Sequence, residues 1–286
     1  ISDVEAVPYA TVGQAVAAVR SGEIEAALVP IENSVEGGVS ATLDILASGR
    51  RLVITKEVLL PVQFNLYARP GTTADQVRRV LTHPHSAAQT RGWMASNLPE
   101  AVVTEGGSNA ASAQEVADPE SRYDAAICGQ IAGEMYGLVP VATEIADNAS
   151  AVTRFVLVSR PTEPTQPTGA DKTTLVAYMH TDRAGALLEI LDQFSNRGVS
   201  LSRIESRPTK TGLGNYCFSI DAEGHMREPR LAEAMLGLHR ICAEVVFLGS
   251  YPRADGKRTQ VASGFTDADF AAAREWYATL VHPEDD

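Results

Sequence analysis

An α/β half followed by a separate α+β unit is the fold class this sequence predicts. Three observations carry it. Through residue 158, short apolar runs alternate with amphipathic helical stretches. Residues 160–169, RPTEPTQPTG, then break the pattern with three prolines and no apolar periodicity, as a linker does. Beyond it the elements follow the order βαββαβ over about 80 residues, the ferredoxin-like arrangement.

In the first half, Thr11 and Gln14 have capping-box spacing ahead of Ala15, Val16 and Val19, predicting a helix over 11–21 ended by Gly22. Residues 26–31 read as a buried strand, with Pro30 marking its exit, that runs into Glu32-Asn33-Ser34. After Gly37 and Gly38, Ser40 is placed to cap a helix through Ala47. Segments 52–60 and 63–68 read as extended, and 74–80 as a short helix after a turn at 71–73. Pro84 and Ser86 shape the start of a helix over 86–97, Val102 and Val103 suggest a strand, and Ser108 is placed to cap a helix over 109–117. A strand over 125–128 and a helix over 130–136 complete an alternation that predicts a mostly parallel sheet. The half ends in 147–158, DNASAVTRFVLV, where small polar residues give way to an apolar strand with Thr153 and Arg154 at the join. In α/β folds such strand ends are where small anions bind.

The second half is predicted as a strand over 172–180, a helix over 184–196 with Leu187, Leu188, Leu191 and Phe194 on one side, and a strand over 201–207. A Gly-rich turn at 211–214, a strand over 215–222, a helix over 229–238 opened by Pro229 and a strand over 245–251 follow. Residues 267–281 read as an amphipathic helix (Phe270, Ala273, Trp276, Tyr277, Leu280) that packs on another surface.

Composition narrows the function. Among 286 residues, 36 Asp or Glu outnumber 24 Lys or Arg, for a formal net charge of −12. No basic run supplies the phosphate contacts that nucleic acid needs, although a few local cations suffice for a small anionic substrate. Cys128, Cys217 and Cys242 form no CxxC pair and no zinc spacing, and read as reduced, buried thiols of a cytoplasmic protein. No apolar run reaches membrane-spanning length, and no signal peptide is visible. Nucleophile-elbow, P-loop, dinucleotide and HExxH motifs are absent from the sequence, as is a carboxylate cage for a metal. His83 and His85 flank Pro84, and alternate residues of an extended chain point apart, which argues against a ligand pair.

Three polar clusters remain near element ends: Glu32-Asn33-Ser34, Thr82 to Gln89, and Thr153-Arg154. With them, VPIENSVEGGV (29–39), THPHSAAQ (82–89) and Thr153-Arg154-Phe155 resemble prephenate dehydratase, and GALLEIL (185–191) and IESRP (204–208) resemble its regulatory ACT domain. The similarity runs from about residue 8 to 252 and is closest to the monofunctional, actinobacterial type. It implies a bilobal catalytic domain of the type II periplasmic-binding-protein kind over 1–159, crossing between lobes near 67 and 147, with the site in the cleft and Thr153 at a hinge. A linker over 160–171, an ACT domain over 172–252 and an extension over 253–286 complete the expected organisation.

The resemblance further implies a reaction without cofactor or metal: prephenate loses its ring carboxylate as CO2 and its C4 hydroxyl as water, giving phenylpyruvate for phenylalanine biosynthesis. Thr153 is implied as donor to the leaving hydroxyl, with Asn33 and Glu32 in the catalytic pocket. Ser34, Thr82, Gln89, Ser108 and Phe155 are implied as substrate contacts. Arg154 either pairs with a substrate carboxylate or braces the loop. In the ACT domain, Gly185, Ala186 and Leu187 would admit the effector L-phenylalanine, with Glu205, Ser206, Arg207 and Pro208 forming or supporting the opposite wall. ACT pairing implies a homodimer or homotetramer.

The sequence departs from the family pattern in places. The family's opening strand and Gly-Pro-x-Gly-Thr loop have no counterpart, so an N-terminal segment of the catalytic domain is expected to be missing. His85, Phe64 and Ser200 stand where the family commonly has Gln, His and Asn. Two other readings stay open: an arogenate (cyclohexadienyl) dehydratase and a non-catalytic amino-acid sensor.

Overall fold

The computed structural model describes residues 5–281 other than 36, 149 and 210–215; the predicted Gly-rich turn at 211–214 lies outside the described residues. In chain order the elements are α1 (Val12–Ser21), β1 (Ala26–Asn33), β2 (Gly37–Gly38), α2 (Ser40–Leu46) and β3 (Val53–Pro61). Next come β4 (Asn65–Ala68), β5 (Arg79–Thr82), α3 (Pro84–Gln89), α4 (Arg91–Asn97), β6 (Val102–Glu105), α5 (Asn109–Ala117), β7 (Ala125–Cys128), α6 (Gln130–Met135) and β8 (Val139–Ala142). The last segment holds β9 (Val152–Ser159), β10 (Asp171–Tyr178), α7 (Ala186–Ser195), β11 (Leu201–Pro208), β12 (Tyr216–Glu223), α8 (Pro229–Ile241), β13 (Glu244–Pro252) and α9 (Asp267–Val281).

The chain divides into two compact units, one of Ile1–Leu59 with Arg154–Asp286 and one of Leu60–Thr153. The borders of these units fall within β3 and β9, at 59/60 and 153/154.

The first unit holds two four-stranded sheets, ordered β2-β1-β9-β3 and β11-β12-β10-β13. The second is antiparallel throughout: β10 pairs with β12 and β13, and β11 with β12. This is the order a βαββαβ chain produces. β12 shows how period-two alternation builds two cores from one sheet. Phe218, Ile220 and Ala222 pack with Ile190 and Phe194 of α7 and Leu231, Ala234 and Leu238 of α8. Cys217, on the opposite face, joins a cluster with Val16 and Val19 of α1, Leu43 and Leu46 of α2, Ile31, Ile54, Val156 and Val158. Val176, Leu248 and Tyr251 belong to that same cluster, so the two sheets share one apolar core. α1 begins as predicted: the Thr11 side chain accepts from the Gln14 amide at 3.2 Å, and Gly22 closes the helix in the left-handed region.

The second unit is a five-stranded sheet, β6-β5-β7-β4-β8. β5 runs parallel to β6 and β7, but β4 pairs antiparallel with both β7 and β8, so the sheet is mixed where a mostly parallel one is expected. Its two faces are both covered: Leu66, Ala68, Val80, Ala125 and Ile127 on one, Tyr67, Leu81, Ala126 and Cys128 on the other. A strand buried on both faces reads as a continuous apolar run, which is why 125–128 was recognisable. The helix expected over 86–97 is broken into α3 and α4 at Thr90, whose hydroxyl donates back to the Ser86 carbonyl at 2.8 Å. The helix expected over 74–80 is a 3-10 turn, Ala74–Gln76, after which β5 begins.

α9 has the predicted bounds but no buried residue; Trp276 is 64% exposed and Tyr277 62%. Of the predicted apolar side, Phe270 is half-buried beside Gln193, Arg197 and Glu233, whereas Trp276, Tyr277 and Leu280 stay exposed. No helix among them is long and apolar enough to cross a membrane.

Candidate active site

Strand β9 separates two kinds of residue by alternation. Arg154, Val156 and Val158 are buried on one face, and Thr153, Phe155 and Leu157 lie half-buried on the other. Thr153 and Phe155 therefore share a face that Arg154 does not.

Arg154 is 5% exposed. Its Nε donates to Glu57 Oε2 of β3 at 2.6 Å, Nη1 to Asp221 Oδ2 of β12 at 2.5 Å and Glu32 Oε2 of β1 at 3.3 Å, and Nη2 to the Tyr251 hydroxyl of β13 at 2.8 Å. Burial pulls its pKa down, but Tyr251, Asp221 and Glu57 outweigh burial and hold it above its ordinary value. Of the two expected roles, substrate-carboxylate ligand or loop brace, this many internal partners favour the brace. The partners are held in turn. Asp221 also accepts from Arg203 Nε at 3.0 Å and the Thr174 hydroxyl at 2.7 Å, and Glu57 from Lys172 Nζ at 3.1 Å and the Ala254 amide at 2.9 Å. Burial pushes the Asp221 carboxyl upward, and Arg203 and Arg154 more than reverse it, leaving it far below the ordinary carboxylate range. Glu57 is lowered likewise by Arg154 and Lys172 against the upward push of burial.

Glu32-Asn33-Ser34 closes β1. Asn33 is buried and its Oδ1 accepts from the Val35 amide at 2.9 Å, a local turn that fixes its orientation. Ser34 is exposed, and the Glu32 side chain is one-third exposed. Gly38 follows in close quarters: a Cβ there would lie 1.9 Å from Glu205 Oε2 of β11, so a larger residue requires the Glu205 side chain to move aside.

In the second unit, Thr82 ends β5 and is fully buried; its hydroxyl donates to the Ile127 carbonyl at 2.9 Å. Asn109 Oδ1 gathers the segment, lying 3.3 Å from the Thr82 hydroxyl and accepting from the His83 amide at 3.2 Å and the Ser86 hydroxyl at 2.9 Å. Gln89 is 8% exposed; its Nε2 lies 2.6 Å from His85 Nε2, and its buried Oε1 has no hydrogen-bond partner among the described residues. Ser108 caps α5, accepting from the Ala111 amide at 3.0 Å. Asp147 accepts from the Gly92 and Trp93 amides, each at 2.9 Å. The rings of His83 and His85 are 6.4 Å apart, and no cluster of three His, Cys, Asp or Glu fit for a metal occurs among the described residues.

Of the two groups of residues expected at the effector, the first lines a cavity within one chain. Gly185, with φ +86°, and Ala186 and Leu187 line a cavity of about 320 Å3 with Asp182, Arg183, Leu191 and Phe218. None of Glu205, Ser206, Arg207 and Pro208 lines it. β11 alternation turns Glu205 and Arg207 toward α2 instead: Arg207 Nη2 donates to Asp44 Oδ1 at 2.9 Å and Nη1 to the Ser40 hydroxyl at 2.9 Å. Within one chain, Arg207 thus ties β11 to α2.

The residues that sequence reasoning missed are Glu57, Asp221, Lys172, Tyr251 and Asn109. A signal existed for two of them. Glu57 and Asp221 are carboxylates inside apolar strand runs, VITKEVLLP and YCFSIDAE, where a charge survives only with a partner.

An α/β pair of units carrying these clusters, with an antiparallel βαββαβ sheet in one of them, defines a catalytic domain joined to an effector-binding module. The prephenate dehydratase family model matches residues 1–163 and the ACT domain model residues 173–240. A prephenate dehydratase of Amycolatopsis methanolica is 45% identical over 281 residues, covering 98% of this chain and 91% of the relative. The crystal structure of prephenate dehydratase in complex with L-Phe from Arthrobacter aurescens is 51% identical with a TM-score of 0.92, covering 98% of this chain and 92% of that one. A further structure, described as GqqA, a novel type of quorum quenching acylase, is 30% identical with a TM-score of 0.76 and covers 86% of this chain and 88% of that one. The chain belongs to the prephenate dehydratase family, with a periplasmic-binding-protein-like catalytic domain and an ACT domain, as the motifs implied.

Proposed function

We propose that this protein converts prephenate to phenylpyruvate and is inhibited by L-phenylalanine bound at its ACT domain. The observation that carries this reading is similarity over almost the whole chain, catalytic and ACT segments together, to prephenate dehydratases, one of them bound to L-Phe.

In this reaction the C–C bond to the ring carboxylate breaks, CO2 departs, and the electron pair flows into the ring as the C4 hydroxyl leaves with a proton as water. Aromatisation supplies the driving force, so the protein needs to orient a dicarboxylate and assist the leaving oxygen. Thr153 is the donor to that oxygen; as a weak acid it gives a hydrogen bond that strengthens toward the transition state. Asn33 donates to a substrate oxygen beside Glu32. Ser34, Gln89, Ser108 and Phe155 are further substrate contacts, and buried Thr82 supports its segment. The half-buried placement of Thr153 and Phe155, on the β9 face away from the Arg154 ion network, supports this division of labour. Residues 1–159 form the catalytic domain and 172–252 the ACT domain, with Gly185, Ala186 and Leu187 at the effector. ACT pairing gives a homodimer or homotetramer, and the site of action is the cytoplasm.

The test is turnover of prephenate and of arogenate side by side, with and without L-phenylalanine, for the wild type and Thr153→Ala. Expected are a preference for prephenate, inhibition by L-phenylalanine, and a loss of kcat of about 10²- to 10⁴-fold in Thr153→Ala. Absence of turnover of either substrate sinks the dehydratase reading, and near-wild-type kcat in the variant removes Thr153 from its role.

A further inference from the structure

All four strands of the antiparallel ACT sheet send a polar side chain to one buried cluster around Arg154. β10 contributes Thr174, and Lys172 through Glu57; β11 contributes Arg203; β12, Asp221; β13, Tyr251. Arg154 Nη1 lies 2.5 Å from Asp221 and Nη2 2.8 Å from the Tyr251 hydroxyl, which itself lies 2.5 Å from the Thr174 hydroxyl. Asp221 and Tyr251 are fully buried, so solvent does not compete for these bonds. Arg154 is the residue after Thr153 on β9, and consecutive strand residues share a peptide plane. A guanidinium held from two sheets restrains the backbone at Arg154, and with it the peptide that carries Thr153.

We propose that Asp221 and Tyr251, in the ACT sheet, are positioning residues for the dehydration, acting through Arg154 on Thr153. The sheet is then part of the support of the catalytic strand, beyond its role as an effector receptor. Phe218, which lines the effector cavity, stands on the same strand as Asp221 and on its opposite face. The inference rests on the dehydratase reading of Thr153.

The test uses Tyr251→Phe and Thr174→Val, which remove one hydroxyl each and leave every charge paired. The control is Tyr178→Phe, which removes the 2.9 Å bond from the Tyr178 hydroxyl to the Ala47 carbonyl, another tie between the ACT sheet and the catalytic segment that does not touch Arg154. Steady-state kcat and KM for prephenate are measured with the thermal midpoint of each protein. Expected is a fall in kcat on the order of 10- to 100-fold in both variants with KM within about twofold, a misplacement effect. The control keeps wild-type kcat at a comparable midpoint. Asp221→Asn, which keeps the shape and removes the charge, is expected to lose more. Variants that fold and match the control in kcat overturn the inference while leaving the dehydratase reading standing; a wild type inert on prephenate overturns both.

Discussion

Arg154 touches four acceptors, Glu57, Asp221, Glu32 and Tyr251, and its loss strands charges instead of merely deleting a contact. Arg154→Met leaves Glu57 and Asp221 buried beside one fewer cation and is expected to destabilise the fold by about 3–5 kcal/mol, read by urea denaturation. Arg154→Lys keeps the charge but lacks the planar fork, so it recovers only part of that loss. The same carboxylates set an acid limit. The folded values of Asp221 and Glu57 lie below their ordinary ones, so their stabilisation is complete above roughly pH 4, where the unfolded carboxylates are ionised, and falls away as pH drops from there through the folded values. Stability measured from pH 6 down to pH 3 is expected to decline less steeply in an Asp221→Asn protein. At this scale the sequence was half legible. Thr153-Arg154 stood out as a hydroxyl and a cation at a strand mouth, but alternation alone does not say which face of β9 meets a carboxylate from 67 residues downstream.

Among elements, β13 comes close to β3 at Gly249. Gly249 has φ +135°, and a Cβ there would lie 2.3 Å from the Ile54 carbonyl oxygen of β3, a backbone atom that cannot rotate aside. It sits where the pairing of β10 with β13 slips register beside Thr174. Gly249→Ala is expected to cost at least about 1–3 kcal/mol for its backbone conformation alone, with a lowered thermal midpoint as the readout. Element type followed from periodicity wherever a long pattern had one buried face: α7, α8 and the four ACT strands match to within a few residues. It failed where side chains compete with the backbone. Thr90 bonds back to Ser86 where the helix expected over 86–97 is broken. β5 and β8, four residues each, are too short to carry a period of their own.

For the whole molecule, the shared core decides what can be removed. Val176, Cys217, Leu248 and Tyr251 of the ACT sheet pack in the same cluster as α1, α2, β1 and β9. A chain ended at residue 169 would expose that cluster and leave Arg154 and Glu57 without Asp221, Tyr251 and Lys172. It is expected to lose cooperative unfolding by circular dichroism, rather than survive as an enzyme freed from its effector. The sequence placed the two domains on either side of a proline-rich linker and so suggested modules. A shared core is invisible to it, because Lys172, Thr174, Ser219 and Asp221 make that face of β10 and β12 read as solvent-facing.

The discontinuity of the first unit also bears on the order in which the protein is made. β1 leaves the ribosome well before its sheet partner β9, with the whole of Leu60–Thr153 synthesised in between. At about 5–20 residues per second the gap of about 120 residues lasts roughly 6–24 s. The middle unit, continuous in sequence, is free to fold in that interval. The N-terminal segment, with its apolar strand and two amphipathic helices, waits for β9 and then for the ACT strands, and during that wait it is the part of the nascent chain that a chaperone would hold.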